Sequence, residues 1–455
     1  MKSINPATGE LIKEYEEHTP AEVEQQLQTA EAAFHSWMEV PFAERAELMR
    51  NAATLLRTNS AKYAHLMTEE MGKPIAQART EVEKCAATCE YYAEHAERFL
   101  SPRAKSSDAE HSYVRYDPLG PVLAIMPWNF PFWQLFRFAA PGLMAGNVGL
   151  LKHASNVSGS ALAIEEVFLQ AGFPKGAMTT LLVSSKRIAE IIEHPVVRAV
   201  TLTGSENAGR AAAEVAGRAL KKTVLELGGS DPFIVLADVD LAAVARSAVR
   251  ARTINSGQSC IAAKRFLVER SVVADFEKEM ATAMEALRVG DPLDERTEIG
   301  PQARDDLLEE LHGQVTKSID AGARLLTGGK RMDRQGYFYP PTVLADVRPG
   351  MPAFDEELFG PVASIISVDS ADQAVDLANQ SPYGLGASVW TRDTALAERL
   401  AAKVESGCVF VNGVVKSDPR LPFGGVKASG YGRELSDEGI REFVNVKTVW
   451  VGAPD

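Results

Sequence analysis

The chain has 455 residues, 45% of them hydrophobic and 24% charged, with a formal net charge of −13. That is an ordinary globular composition, long enough for about three domains with their own cores and with no need of disulfide or metal staples. The acidic balance argues against a nucleic-acid or anionic-membrane surface. Four cysteines (Cys85, Cys89, Cys260 and Cys408) form no CxxC pair and eight histidines show no HExxH spacing, so no metal is expected and the compartment reads as reducing, hence cytoplasmic.

Met1-Lys2-Ser3-Ile4-Asn5-Pro6 lacks the apolar stretch of a secretory signal. Residues 20–100 read as helices, with apolar residues three and four apart over 21–37 and 42–59. Thr19-Pro20-Ala21-Glu22 has the form of a helix start: Thr at the cap, Pro at the first position and Glu in the first turn. Cys85 and Cys89, four apart beside Val82 and Ala86, are expected in a core. A polar stretch over 101–111 precedes a short alternating segment, 112–116, that reads as an edge strand.

From Pro121 strands and helices alternate: strand 122–126, helix 132–146, strand 147–152, helix 158–171, strand 179–183, helix 186–193, strand 199–203, helix 208–219 and strand 223–227. The apolar run over 121–151 carries Pro127, Pro131, Pro141, Asn129, Gln134 and Arg137, a load that a membrane span rarely tolerates. Such alternation predicts a parallel sheet with helices on both faces, a cofactor-binding architecture. A second alternating region follows, with strands at 233–236, 265–269, 363–367, 387–391 and 409–411 and helices at 241–252, 273–287, 307–321, 371–379 and 394–404. The tail 443–451 reads as a strand on a sheet edge.

Asn255-Ser256-Gly257-Gln258-Ser259-Cys260 lies between helix 241–252 and the strand at 265. A Cys on such a turn suits a thiolate nucleophile, though a buried Cys in a Gly-containing turn fits the same hexamer. Glu226-Leu227-Gly228-Gly229 sets a carboxylate at a strand end before a bendable backbone, placed to take a proton from the thiol or from a hydrolytic water, or simply to be solvated. Pro127-Trp128-Asn129-Phe130-Pro131 follows the first strand of the βαβ region, where ligands are held, and the Asn129 amide is a neutral donor for a developing oxyanion; turn chemistry is the plainer account. Gly204 and Ser205, opening a helix, offer backbone donors to a phosphate without the usual GxGxxG pattern. Glu356-Glu357-Leu358-Phe359-Gly360-Pro361 reads in isolation as an acidic loop with an aromatic anchor.

Taken together with Pro422-Phe423-Gly424-Gly425-Val426-Lys427-x-Ser429-Gly430, these motifs resemble the aldehyde dehydrogenase superfamily over essentially the whole chain. The resemblance implies an α/β fold: a Rossmann-like cofactor domain (1–105 and 119–227), an α/β catalytic domain (228–421) and a small β segment (106–118 and 422–455) that bridges a homodimer or homotetramer. It implies that Cys260 forms a thiohemiacetal, that Asn129 and the Cys260 N–H hold its oxyanion, and that Glu226 activates the water that hydrolyses the thioester. Lys152 would contact the adenosine ribose and Glu357 and Phe359 the nicotinamide ribose and ring, with Trp128, Gly204, Ser205 and Leu227 completing the cofactor set.

Within the superfamily the chain looks most like bacterial and cyanobacterial succinate-semialdehyde dehydrogenases, through Leu151-Lys152-His153-Ala154-Ser155-Asn156, Glu226-Leu227-Gly228-Gly229-Ser230-Asp231-Pro232 and Asn412-Gly413-Val414-Val415-Lys416-Ser417-Asp418-Pro419-Arg420. A substrate carboxylate needs a cation. Arg137, about two helical turns past Asn129 on an apolar helix, has a fork that suits one, or else pairs with a structural carboxylate. Ser417 matches a second substrate contact of the family. Two departures stand out: Ile254 occupies a position where some relatives carry another Arg, and Ala262 one where some carry a redox-switch Cys. NAD-preferring relatives often have Glu where Ser155 stands; Ser removes its repulsion of a 2′-phosphate, so NADP is the expected cofactor, with NAD the second choice.

Overall fold

The computed structural model describes residues 1–453. Helix Pro20–Trp37 opens with both halves of a capping box: the Thr19 side chain accepts from the Glu22 N–H while the Glu22 carboxylate returns to the Thr19 backbone. Helices Phe42–Thr58, Ser60–Met71 and Ile75–Leu100 follow, and Gly72, at φ 78°, ends the third in the left-handed cap that glycine favours. Cys85 and Cys89 are fully buried on Ile75–Leu100, as their spacing predicts.

The first large sheet has six strands in the order Gly430–Tyr431, Lys222–Glu226, Ala199–Thr203, Pro121–Met126, Val148–His153 and Met178–Thr180. All pairings are parallel except that of Gly430–Tyr431 with Lys222–Glu226. The chain runs outward from Pro121–Met126 on one side, then returns to place Ala199–Thr203 on the other. That reversal opens a crevice past the strand ends, flanked by the loop at 127–131 and the turn at Gly204 and Ser205. Helix Trp133–Met144 is buried on every face, and the central strands are covered on both, so their apolar runs are nearly continuous.

The second sheet has seven strands, in the order Arg324–Thr327, Thr342–Ala345, Val362–Val368, Arg265–Glu269, Pro232–Val235, Gly386–Trp390 and Cys408–Val411. Its first two strands were not legible as periodic segments; Arg324–Thr327 is the antiparallel edge and carries a bulge. A third sheet joins Val444–Val451, His111–Pro118 and Arg103–Lys105. The two segments expected as edge strands join neither large sheet and pair with each other over their full length, from Val444 against Pro118 to Val451 against His111. Within the stretch 422–455, Gly430–Tyr431 extends the first sheet and Val444–Val451 joins the third; the last two residues lie outside the described residues. Among the described residues no helix is long and apolar enough to cross a membrane.

Candidate active site

A cavity of about 460 Å³ occupies the crevice between the two large sheets. Of the residues singled out in the sequence, Trp128, Asn129, Gly204, Ser205, Leu227, Cys260, Glu357 and Phe359 line it together.

The turn that presents Cys260 is strained and heavily tied. After helix Leu241–Thr253 the backbone turns left-handed at Asn255 (φ 53°), Ser256 (φ 56°) and Gly257 (φ 79°). Left-handed non-glycine residues cost on the order of 1–3 kcal/mol each and persist only where the surroundings hold them. Here the Asn255 N–H donates to Gln77 Oε1 at 2.7 Å, and Asn255 Nδ2 donates to the carbonyls of Asn129 and Gln258 at 2.7 and 3.0 Å. The Gly300 N–H donates to Ser256 Oγ at 2.9 Å, and buried Arg252 donates through Nη2 to the Gly257 carbonyl at 2.7 Å. A Cβ at Gly257 would lie 2.2 Å from the Gly360 carbonyl oxygen, so only glycine fits. On the far side Lys264 Nζ donates to the carbonyls of Ser259, Cys260 and Ala262 at 3.1, 2.9 and 3.1 Å, its charge met by Glu357 at 3.4 Å.

Burial pushes the Cys260 thiol up to about 12; Arg137 and Lys264 pull it down, while Glu357 and Asp231 add to the rise. The resting nucleophile is therefore a thiol, and attack requires a base. Asn129 Nδ2 donates to the Gln258 carbonyl at 3.1 Å. A primary amide has two N–H bonds, which leaves one for an oxygen formed beside Cys260 in the shared cavity.

Glu226 ends strand Lys222–Glu226 but does not line the cavity. Its carboxyl is 2% exposed, and neither oxygen has a hydrogen-bond partner among the described residues. Burial and then Glu434 raise its pKa well above the usual range, against the pull of Arg137 and Arg433. A Cβ at Gly424 would stand 2.7 Å from Glu226 Oε1, so the glycine of Pro-Phe-Gly-Gly makes room for this carboxyl.

Arg137, which the sequence left to meet a substrate carboxylate or a structural one, has a structural partner in this structure. Its Nε is ion-paired with Glu434, its Nη2 donates to Thr203 Oγ1 at 3.3 Å, and the guanidinium lies 4.6 Å from the centre of the Phe423 ring. A guanidinium on so apolar a helix needed a partner, and the fold supplies an internal one. Ser417 lies outside the cavity and accepts from Lys84 Nζ at 2.7 Å.

The cofactor side fits a dinucleotide. Ser205 caps helix Glu206–Arg218 by accepting from the Ala208 N–H at 3.3 Å, which starts the helix two residues before the expected 208 and turns its N-terminal donors to the cavity. Gly209 lets that helix close on the sheet: a Cβ there would meet Leu227 at 2.6 Å. Trp128 and Phe359 meet edge to face, 5.7 Å apart, and Glu357 accepts from the Gly229 N–H at 3.0 Å. Lys152 and Ser155 lie at the same end of the sheet but do not line the cavity. The Ser155 hydroxyl caps neither the turn Ser155–Val157 nor helix Ser158–Gln170, so it does not serve merely to start the helix. Sequence reasoning missed Gln314 and Tyr383 in the lining and Lys264 behind Cys260. The signal for Lys264 was two adjacent cations running into an apolar strand, where each must find a partner.

A thiol beside a crevice that suits a dinucleotide, with an amide donor on the loop after one strand and a buried carboxyl at the end of another, is the arrangement of a cofactor-dependent dehydrogenase acting on carbonyl groups. The chain belongs to the aldehyde dehydrogenase family, whose model matches residues 1–449. It is 52% identical over 451 residues, 99% of each chain, to a probable NADP(+) succinate-semialdehyde dehydrogenase of Synechocystis sp.. It is 50% identical over 454 residues, again 99% of each, to NADP(+) succinate-semialdehyde dehydrogenase 1 of Mycobacterium tuberculosis. Among solved structures it resembles the succinic semialdehyde dehydrogenase of Streptococcus pyogenes in complex with NADP+, with a TM-score of 0.97 and 37% identity over 99% of this chain and 100% of that one.

Proposed function

We propose that this protein oxidises succinic semialdehyde to succinate with NADP as the electron acceptor. The observation that carries the chemistry is Cys260 on its tied turn, facing Trp128, Phe359 and the helix start at Ser205 across one cavity. The relatives' substrate and cofactor support the particular reaction. NADP, when bound, would supply the oxidising chemistry by taking up the hydride. The chain's residues do the rest. Cys260 gives its proton to water in the open cavity and the thiolate adds to the aldehyde carbon; the Asn129 amide and the Cys260 N–H steady the resulting oxyanion. Hydride departure leaves a thioester on Sγ. Glu226, turned into the cavity, takes a proton from water, whose oxygen adds to the thioester carbon and displaces the thiolate as the acid forms. Glu357 and Phe359 would hold the nicotinamide end, and Lys152 and Ser155 the adenosine ribose.

A steady-state panel of aldehydes crossed with NADP and NAD tests this reading. Succinic semialdehyde with NADP should give the highest kcat/KM, and a higher value for an uncharged aldehyde would overturn the substrate assignment. Ser155→Glu should swing the cofactor ratio toward NAD by about 1–3 kcal/mol, roughly 5- to 150-fold, through like-charge repulsion of the 2′-phosphate. An unmoved ratio removes Ser155 from the selectivity.

The same reading includes a homodimer or homotetramer in a reducing compartment such as the cytoplasm. All four cysteines are unpaired. Strand Val444–Val451 is an edge strand that exposes 60% of Val446 and 54% of Trp450, surface that a second copy would cover. Truncation before Val444, which keeps the Phe443 carbonyl that accepts from Asn147, should yield monomer or aggregate in light scattering. A truncated chain of unchanged mass would reject this interface.

A further inference from the structure

We propose that Lys264 is the positioning residue that aims and polarises the Cys260 N–H, one of the two donors that meet the oxyanion. The proposal rests on the addition of Cys260 to an aldehyde described above.

Lys264 stands just before strand Arg265–Glu269 and is 1% exposed. Its backbone is fixed to the chain on both sides: its N–H donates to the Asp231 carbonyl at 3.0 Å, and its carbonyl accepts from the Ser364 N–H at 3.0 Å. Asp231 leads into strand Pro232–Val235 and Ser364 lies on Val362–Val368, so the lysine is mounted on the middle of the second sheet. From there the side chain reaches the nucleophile turn, where Nζ donates to the carbonyls of Ser259, Cys260 and Ala262 at 3.1, 2.9 and 3.1 Å. Three donations use all three hydrogens of an ammonium; a neutral amine has only two. The charge is therefore part of the contact, and Glu357, at 3.4 Å, and buried Asp231 offset it.

The Ser259 carbonyl and the Cys260 N–H belong to one peptide unit. That unit is trans, so the two groups point in opposite directions. An ammonium that holds the oxygen turns the N–H away from itself. Cys260 lines the cavity and Lys264 does not, so the N–H is turned to the side from which an aldehyde arrives. Among the described residues the Cys260 N–H donates to no other group, which leaves it for the oxyanion. The Ala262 N–H also donates to the Ser259 carbonyl, at 3.1 Å, but of the two donors only Lys264 brings charge. A cation on the carbonyl draws electron density through the peptide and makes the N–H at its other end a stronger donor. A stronger donor gains more from an alkoxide than from a neutral carbonyl, so the benefit falls on the transition state. The contacts to the Cys260 and Ala262 carbonyls hold the next peptides and resist a flip of the first.

Two rates test this, both read with NADP bound. One is the single-turnover appearance of reduced cofactor with succinic semialdehyde. The other is alkylation by iodoacetamide, followed by mass on the peptide that carries Cys260. Both need the Cys260 thiolate, which Lys264 also favours, and the thiolate fraction cancels in their ratio. Only the first passes through an oxyanion, because alkylation displaces iodide at a saturated carbon. In Lys264→Met the ratio of the first rate to the second should fall by about ten- to a hundredfold, less than the ~10²- to 10³-fold cost of removing an oxyanion donor outright. Lys264→Gln, which keeps two N–H donors without the charge, should lie between Lys264→Met and wild type. A fluorescence titration with NADPH shows which variants keep their fold, and the ratio is read in those. A ratio unmoved there, with the two rates falling together, overturns the proposal: the lysine would then act on the thiol or on the shape of the turn. Loss of NADPH binding in both variants overturns it in favour of a structural role. A wild type that is alkylated at Cys260 yet reduces no cofactor overturns the function reading, and this proposal with it.

Discussion

Cys260→Ala should abolish aldehyde oxidation while leaving NADP binding intact. Cys260 is the cysteine in the cavity; Cys85 and Cys89 are buried on helix Ile75–Leu100, and Cys408 lies on the edge strand of the second sheet. With no sulfur to add to the aldehyde carbon, the hydride-donating intermediate does not form, and removal of a nucleophile that works as part of a unit costs on the order of 10⁴-fold or more in turnover. The turn should survive. Its ties run through Asn255, Ser256, Gly257 and the carbonyls held by Lys264, none of which uses the Cys260 side chain. Single-turnover appearance of reduced cofactor reads the chemistry and a fluorescence titration with NADPH reads the pocket. Turnover near that of wild type would remove Cys260 from the mechanism, and loss of cofactor binding with it would show that the side chain holds the turn.

Glu226→Gln should leave a burst of reduced cofactor followed by slow turnover. The carboxyl lies in a buried group with Glu434 and Arg137, turned away from the cavity, so it is not in place for the first addition. Water activation follows hydride departure, and a lost general base there costs on the order of 10²- to 10⁴-fold. Burial and Glu434 hold the carboxyl protonated above the usual carboxylate range, so wild-type kcat should climb with pH as Glu226 gives up its proton and becomes a base. Glu226→Gln should flatten that rise. A burst that disappears in the variant would place Glu226 earlier, as the base that deprotonates Cys260.

Local features were legible in the sequence because their causes are local. Thr19 and Glu22 are near neighbours in the chain, and the capping box they form needs nothing from the rest of it. Strands such as Ala199–Thr203 and Arg265–Glu269, buried on both faces, showed as apolar runs of matching length. The short edge strand Arg324–Thr327, half-exposed and bulged, has no such signature. Cys260, Asn129 and Glu226 were identifiable because each lies at the end of a regular element, in a turn whose glycines or prolines mark it.

What the tertiary structure alone decided is which charge meets which. The sequence showed an arginine on an apolar helix and left two partners open; the structure brings Glu434 to it from the strand-and-turn segment near the C-terminus. The Lys84–Ser417 contact spans 333 positions and left no trace in periodicity. Nor did the pairing of His111–Pro118 with Val444–Val451. The reason is physical. Backbone hydrogen bonding and side-chain period are written into neighbouring residues, whereas the choice of an ion pair depends on which side chains are left without water once the chain has closed.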